Sequence, residues 1–110
     1  MHPRRGDVWW VAFDQAIGGE IQKTRPAIVM SNDAANSVLN RVVVVPITSN
    51  VAKVYPGEAL VTINGEQRKA MTDQIMAVSK LRLRDRMGMV SSRDLASVGD
   101  AILLHLAIRK

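Results

Sequence analysis

The 110-residue sequence has no cysteine, which excludes a disulfide framework, a thiolate metal site and a cysteine nucleophile. Its two histidines, His2 and His105, are too few and too far apart to suggest a metal cage. Aromatic residues are scarce, with two tryptophans, one tyrosine and one phenylalanine, so stacking on nucleobases has few places to occur. Long apolar runs are absent too. The longest stretch, around Ala101 to Ile108, contains His105 and falls far short of the roughly 20 residues that span a bilayer. The opening MHPRRGD does not read as a secretory signal, so a cytoplasmic protein without membrane attachment is expected. P-loop, nucleophile-elbow and metal-binding motifs are missing as well.

Fifteen Lys and Arg stand against ten Asp and Glu, a net charge of +5. A field of that sign attracts phosphate backbones, anionic membranes or acidic proteins, without choosing among them. Apolar residues at 47% and charged residues at 23% describe an ordinary globular chain. Its length suits one domain over residues 1–110. So apolar a composition leaves surface for a second copy, and a homodimer is expected, in contact through the last helix or the strands around Thr48.

The first half reads as β. Trp9, Val11 and Phe13 alternate with Val8, Trp10 and Ala12 in an early strand. Arg25 to Met30 and Arg41 to Ile47 are β-branched runs bounded by turn residues; Arg41 to Val45 has the continuous apolar character of a strand buried on both faces. Glu58–Asn64, Gln74–Ser79 and Arg86–Val90 are further strand candidates. Ser31 or Asn32 can cap a short helix carrying Ala34, Ala35 and Val38. In the last helix, Ser91 and Asp94 form a capping-box pattern, and Leu95, Val98, Ile102 and Leu106 recur as one apolar stripe. The sum is a small, mainly β barrel with a short helix after the second strand and a helix closing one end.

Polar residues gather at the ends of these strands: Glu20, Lys23 and Arg25 before Pro26; Thr48, Ser49 and Asn50 after Pro46; Asp73 and Gln74 after Met71. Asp14 to Thr24, with two adjacent glycines, is longer than a tight hairpin needs, and such loops often carry function. At these positions the chain resembles the MazF/PemK family of toxin endoribonucleases. The carrying segments are RGDVWW (Arg5 to Trp10), GGEIQKTRPAIVMSND (Gly18 to Asp33) with Asn36 following, VVVVPITSN (Val42 to Asn50), TDQIMAVSKLRL (Thr72 to Leu83) and the MGMVS lead-in to the last helix. Five fragments in register cover nearly the whole chain.

The resemblance implies an SH3-like barrel of the CcdB/PemK type that dimerises and cleaves single-stranded RNA at short sequences. Messenger RNA is the first candidate, with ribosomal or transfer RNA as alternatives. It implies a MazE-like antitoxin and no metal or other cofactor: the RNA 2′-hydroxyl attacks the adjacent phosphate, leaving 2′,3′-cyclic phosphate and 5′-hydroxyl ends. It makes Arg25 and Thr48 catalytic, and Glu20 either a base or a holder of Arg25. Arg25 offers a fork of donors suited to phosphate oxygens, and Pro26 restricts its backbone. In the PemK branch the residue matching Asp73 is the general base, helped by an arginine two positions earlier. Here that position is Met71. The departure favours an Arg25/Thr48 mechanism and leaves Asp73 and Gln74 as RNA contacts or structural hydrogen bonds.

Lys23, Ser49 and Asn50 join the expected RNA-binding set, and Ser31, Asn32 and Asn36 are expected to cap or brace the site. Lys80, Arg82, Arg84 and Arg86 alternate with other residues; in an extended segment they would share one face as a phosphate track, or else form a charge-protected edge strand. Arg68 and Lys69 are expected on a loop. Two other classes stay open. One is a gyrase-binding toxin of CcdB type, which relies on a C-terminal tryptophan region where this chain ends LHLAIRK. The other is a non-catalytic nucleic-acid-binding barrel.

Overall fold

The computed structural model describes residues 2–13 and 23–109. Along the chain it forms β1 (Asp7–Ala12), β2 (Thr24–Val29), α1 (Asp33–Val38), β3 (Arg41–Thr48), β4 (Ala59–Ile63), β5 (Glu66–Ala70), β6 (Met76–Ser79), β7 (Leu83–Met89) and α2 (Ser92–His105). Short 3-10 turns at Thr72–Gln74 and Lys80–Arg82 flank β6. The strands pair antiparallel in the order β4-β5-β3-β2-β1-β7, with β6 beside the first half of β3. This is a curled half-barrel with a C-terminal helix, the mainly β class expected from the sequence.

The central strands owe their character to two cores, one on each face. Val8, Ile28, Val45, Ile47, Val61 and Ile63 form one, packed against Val98, Ala101, Leu95 and Ile102 of α2. Val11, Ala27, Val29, Val42, Val44 and Val78 form the other, with Trp9, Phe13 and Leu83 against it. Residues of β2 and β3 are therefore buried on successive positions, and each buried Val or Ile contributes about 1.5–3 kcal/mol. The N-terminus is tied down by polar contacts. The Arg5 guanidinium donates to the Met30 carbonyl. The Arg5 amide donates to Asp33 at 2.7 Å, with Arg4 at 3.8 Å from the same carboxylate. That amide first, then the Arg4 charge, hold the Asp33 carboxyl below its ordinary range. The tie is thus intact at neutral pH and weakens only as pH falls through that lowered value.

Four expectations need correction. Arg68 and Lys69 lie on β5, not on a loop. The turn into β5 is Asn64-Gly65, both with positive φ (52° and 82°), the two-residue hairpin geometry that asparagine and glycine favour. Lys80–Arg82 is a 3-10 turn, and register shifts interrupt the pairing of β1 with β7, so the four cations do not line one extended face. Ser91 caps α2 by accepting from the Asp94 amide at 3.1 Å, but the Asp94 carboxylate reaches across to the Thr62 amide at 2.9 Å. The capping box is half made, and its other half fastens α2 to β4. The apolar stripe of α2 ends at Ile102, because Leu106 is the exposed C-cap. The expected short helix is present, with Asn32 capping α1 through the Ala35 amide; the residue that α1 buries is Asn36, and Val38 stands in solvent.

Helix α2 ends in a Schellman arrangement, Ile108 N–H to Leu103 C=O at 2.9 Å and Ala107 N–H to Leu104 C=O at 3.1 Å. Its left-handed position is Ala107, at φ 57°, where glycine is usual. Two substitutions should therefore act with opposite sign. Gly65→Ala should destabilise by about 1 kcal/mol through the backbone alone, since an added Cβ there meets nothing within 4 Å. Ala107→Gly should stabilise by a similar amount. Denaturant melts of the two variants check this; shifts of the same sign would exclude it.

Candidate functional site

β1 and β2 pair with Val11 opposite Arg25, and β2 and β3 pair with Ala27 opposite Pro46. Continued for two residues, the second register sets Arg25 opposite Thr48. Side chains alternate along a strand, so Arg25 shares the face of Ala27 and Val29, and Thr48 that of Val42 and Val44. All four of those residues belong to one core. The β2–β3 pairing ends at Ala27 opposite Pro46, so Arg25 and Thr48 each lie two residues beyond it, on the strand ends that leave that core. Arg25 is exposed and Thr48 half-buried.

On the other side of β3, Thr48 pairs with Lys69 of β5, again on the same face. The Lys69 ammonium turns back over the segment that follows Thr48. It donates to the Lys53 carbonyl at 2.9 Å and pairs with Glu58 at 3.4 Å, the two side chains being only 12% and 13% exposed. Glu58 accepts in turn from the Tyr55 amide at 2.8 Å. The Thr48 hydroxyl oxygen accepts from the Asn50 amide at 3.2 Å, and the Asn50 side chain accepts from the Ala52 amide at 3.2 Å. With its oxygen so engaged, the Thr48 hydroxyl can still donate its hydrogen to an incoming acceptor.

Ser49 and Asn50 are exposed directly beyond Thr48, and Lys23 is exposed just before β2, its carbonyl accepting from the Phe13 amide at 3.1 Å. Asp73 and Gln74 lie exposed on the 3-10 turn after β5, which the Met71 amide holds to Pro46 of β3 at 2.9 Å. The Gln74 amide nitrogen faces the Met71 sulfur at 3.6 Å. Glu20 lies outside the described residues.

Other expected residues are elsewhere. Ser31 and Asn36 are joined at 2.5 Å, and Ser31 also accepts from the Val43 amide at 3.0 Å. This brace lies at the opposite end of β2 from Arg25, six residues or about 20 Å along the strand. It fixes α1 to β3 and does not touch the Arg25/Thr48 pair. Lys80 is held at that same end, by the Asn36 carbonyl. Arg82 donates to the Ala12 carbonyl at 3.2 Å, Arg84 to the Leu81 carbonyl at 2.7 Å, and Arg86 to Asp7 at 3.2 Å. Among the described residues no group of three or more His, Asp or Glu could hold a metal ion. The Lys69–Glu58 pair was not anticipated; the Asn64-Gly65 dipeptide was the signal that a strand, and hence Lys69, follows.

Residues 4–106 match the family described as PemK-like, MazF-like toxin of type II toxin-antitoxin system. The chain is similar to the Mycobacterium tuberculosis endoribonuclease MazF9, at 44% identity over 94% of this chain and 95% of that protein. A MazF crystal structure from Deinococcus radiodurans superposes with a TM-score of 0.81 at 26% identity, covering 98% of this chain and 99% of that one. A MazE-MazF structure from the same organism gives a TM-score of 0.78 at 26% identity, covering 99% of each chain.

Glu58→Ala should free the Tyr55 amide, because a hydrogen bond to a charged acceptor is worth about 1.5–3 kcal/mol. Hydrogen exchange at Tyr55 should accelerate by about tenfold or more, with β1 and β2 amides unchanged. An unaltered Tyr55 rate would show that Glu58 does not hold this segment.

Proposed function

The chain belongs to the family of PemK-like, MazF-like toxins of type II toxin-antitoxin systems, and from that premise we propose that it is an endoribonuclease toxin which cleaves single-stranded RNA at Arg25 and Thr48. The observation that supports this reading is the β2–β3 register, which, continued two residues past Ala27 and Pro46, leads to the exposed Arg25 on one strand and Thr48 on the other. In this reading one phosphate is met by both.

In the proposed reaction the RNA 2′-oxygen bonds to the adjacent phosphorus as its proton leaves. The bond to the 5′-oxygen breaks, and that oxygen takes up a proton. Products are a 2′,3′-cyclic phosphate and a 5′-hydroxyl. Negative charge on the non-bridging oxygens grows along this path, and Arg25 meets it with fixed donors while Thr48 adds a neutral one. Glu20 is proposed as base or as holder of Arg25, and the reaction calls for no cofactor. Ser49, Asn50, Lys23, Asp73 and Gln74 are proposed RNA contacts.

Messenger RNA is the proposed substrate, so the toxin would slow translation and growth in the cytoplasm. A MazE-like antitoxin is its proposed partner; the similarity to a MazF chain solved with MazE supports this. The homodimer is supported by Leu104, Leu106 and Ile108, large apolar side chains left exposed at the end of α2.

Purified protein in excess EDTA should cut unstructured RNA to 2′,3′-cyclic phosphate ends. Arg25→Ala should lower the rate about 10²–10³-fold, the usual loss for one transition-state donor, and Thr48→Val should lower it by less. Both variants should stay folded and dimeric by circular dichroism and sedimentation. Cleavage by Arg25→Ala at the wild-type rate, or 3′-hydroxyl products, would overturn the assignment, and a monomer at micromolar concentration would overturn the dimer.

A further inference from the structure

Tyr55, the only tyrosine in the chain, is held from several sides yet 54% exposed. Its amide is taken by Glu58 at 2.8 Å, and the Thr72 hydroxyl donates to the carbonyl of Gly57 two residues on. The ammonium of Lys53 lies 5.4 Å from the ring centroid and that of Lys69 lies 6.0 Å from it. Lys69 is also the residue that faces Thr48 across the β3–β5 pairing. Lys69 thus links the ring to the strand position paired with the proposed catalytic threonine. These hydrogen bonds hold the backbone at and just after Tyr55, while its side chain is left half open to solvent.

A half-exposed aromatic ring with an exposed lysine beside it is the combination that binds single-stranded nucleic acid, the ring stacking a base while the ammonium meets the backbone. We propose that Tyr55 is a stacking subsite for a nucleobase next to the scissile phosphate, with Lys53 beside the ring and Lys69 bracing it from the sheet. The subsite rests on the ribonuclease reading above and adds to it a place where one flanking nucleotide is gripped. Stacking tolerates any base, so the subsite supplies affinity and register more than identity. Glu58 serves it as a positioning residue, by holding both Lys69 and the Tyr55 backbone.

The test uses the full chain and short RNAs spanning a cleavage sequence mapped from 5′-hydroxyl ends. In each RNA one nucleotide flanking the cut is made abasic. Tyr55→Ala should raise KM about tenfold or more, the worth of one base stacked on an aromatic ring, with the loss falling mainly on KM. Tyr55→Phe, which keeps the ring, should recover most of that loss. Removing the base at one flanking position should weaken cleavage by the wild type and have no further effect on Tyr55→Ala. Equal KM values for wild type and Tyr55→Ala, or abasic effects of the same size in both, would overturn the subsite while leaving the ribonuclease reading intact. A folded wild-type protein that cuts no RNA would overturn both.

Discussion

Everything proposed for this protein hangs on one constraint, the register in which β2 pairs with β3. A slip of one residue would turn every side chain of a strand to the other face. That slip is costly here because both faces of β2 and β3 are filled with valine, isoleucine and alanine. Two apolar cores thus fix, several residues away, which polar side chains meet at the sheet end. Arg25 and Thr48 have no bond to one another in this account. The strands that carry Ala27, Val29, Val42 and Val44 into the core lead on to both.

A second register, that of β3 with β5, organises the other side of Thr48. β5 brings Lys69 against it, and Lys69 with Glu58 folds the segment after Thr48 back onto the sheet. That hairpin depends on two positive-φ residues, Asn64 and Gly65, and on the Asp94 carboxylate that fastens β4 to α2. A helix cap and a turn dipeptide therefore reach the proposed site through the order of the strands, with no direct contact.

Much of this was legible in the sequence, for identifiable reasons. Apolar periods marked β1, β2, β3 and α2, because burial on one or two faces leaves a pattern of period two or of three to four. Glu66–Ala70 left none: EQRKA has one apolar residue, and its strand is imposed by the Asn64-Gly65 turn and by pairing with β3 and β4. The phosphate track failed for a related reason. Alternating cations read as a strand, but Ser79 accepts from the Leu81 amide and starts a 3-10 turn, which local periodicity does not register. Arg25 and Thr48 were legible through the family resemblance. The Lys69–Glu58–Tyr55 linkage was not, since it joins β5 to the segment before β4 across a pairing no single-sequence pattern encodes.

The central claim is that Arg25 and Thr48 act on one phosphate. A double-mutant cycle on cleavage under single-turnover conditions tests it most directly, with Arg25→Ala, Thr48→Val and the double variant on one RNA at one salt concentration. Groups that stabilise the same charge are strongly non-additive. The double variant should therefore slow cleavage by clearly less than the product of the two single effects. A loss equal to that product would mean that the two residues act independently, and would contradict the account.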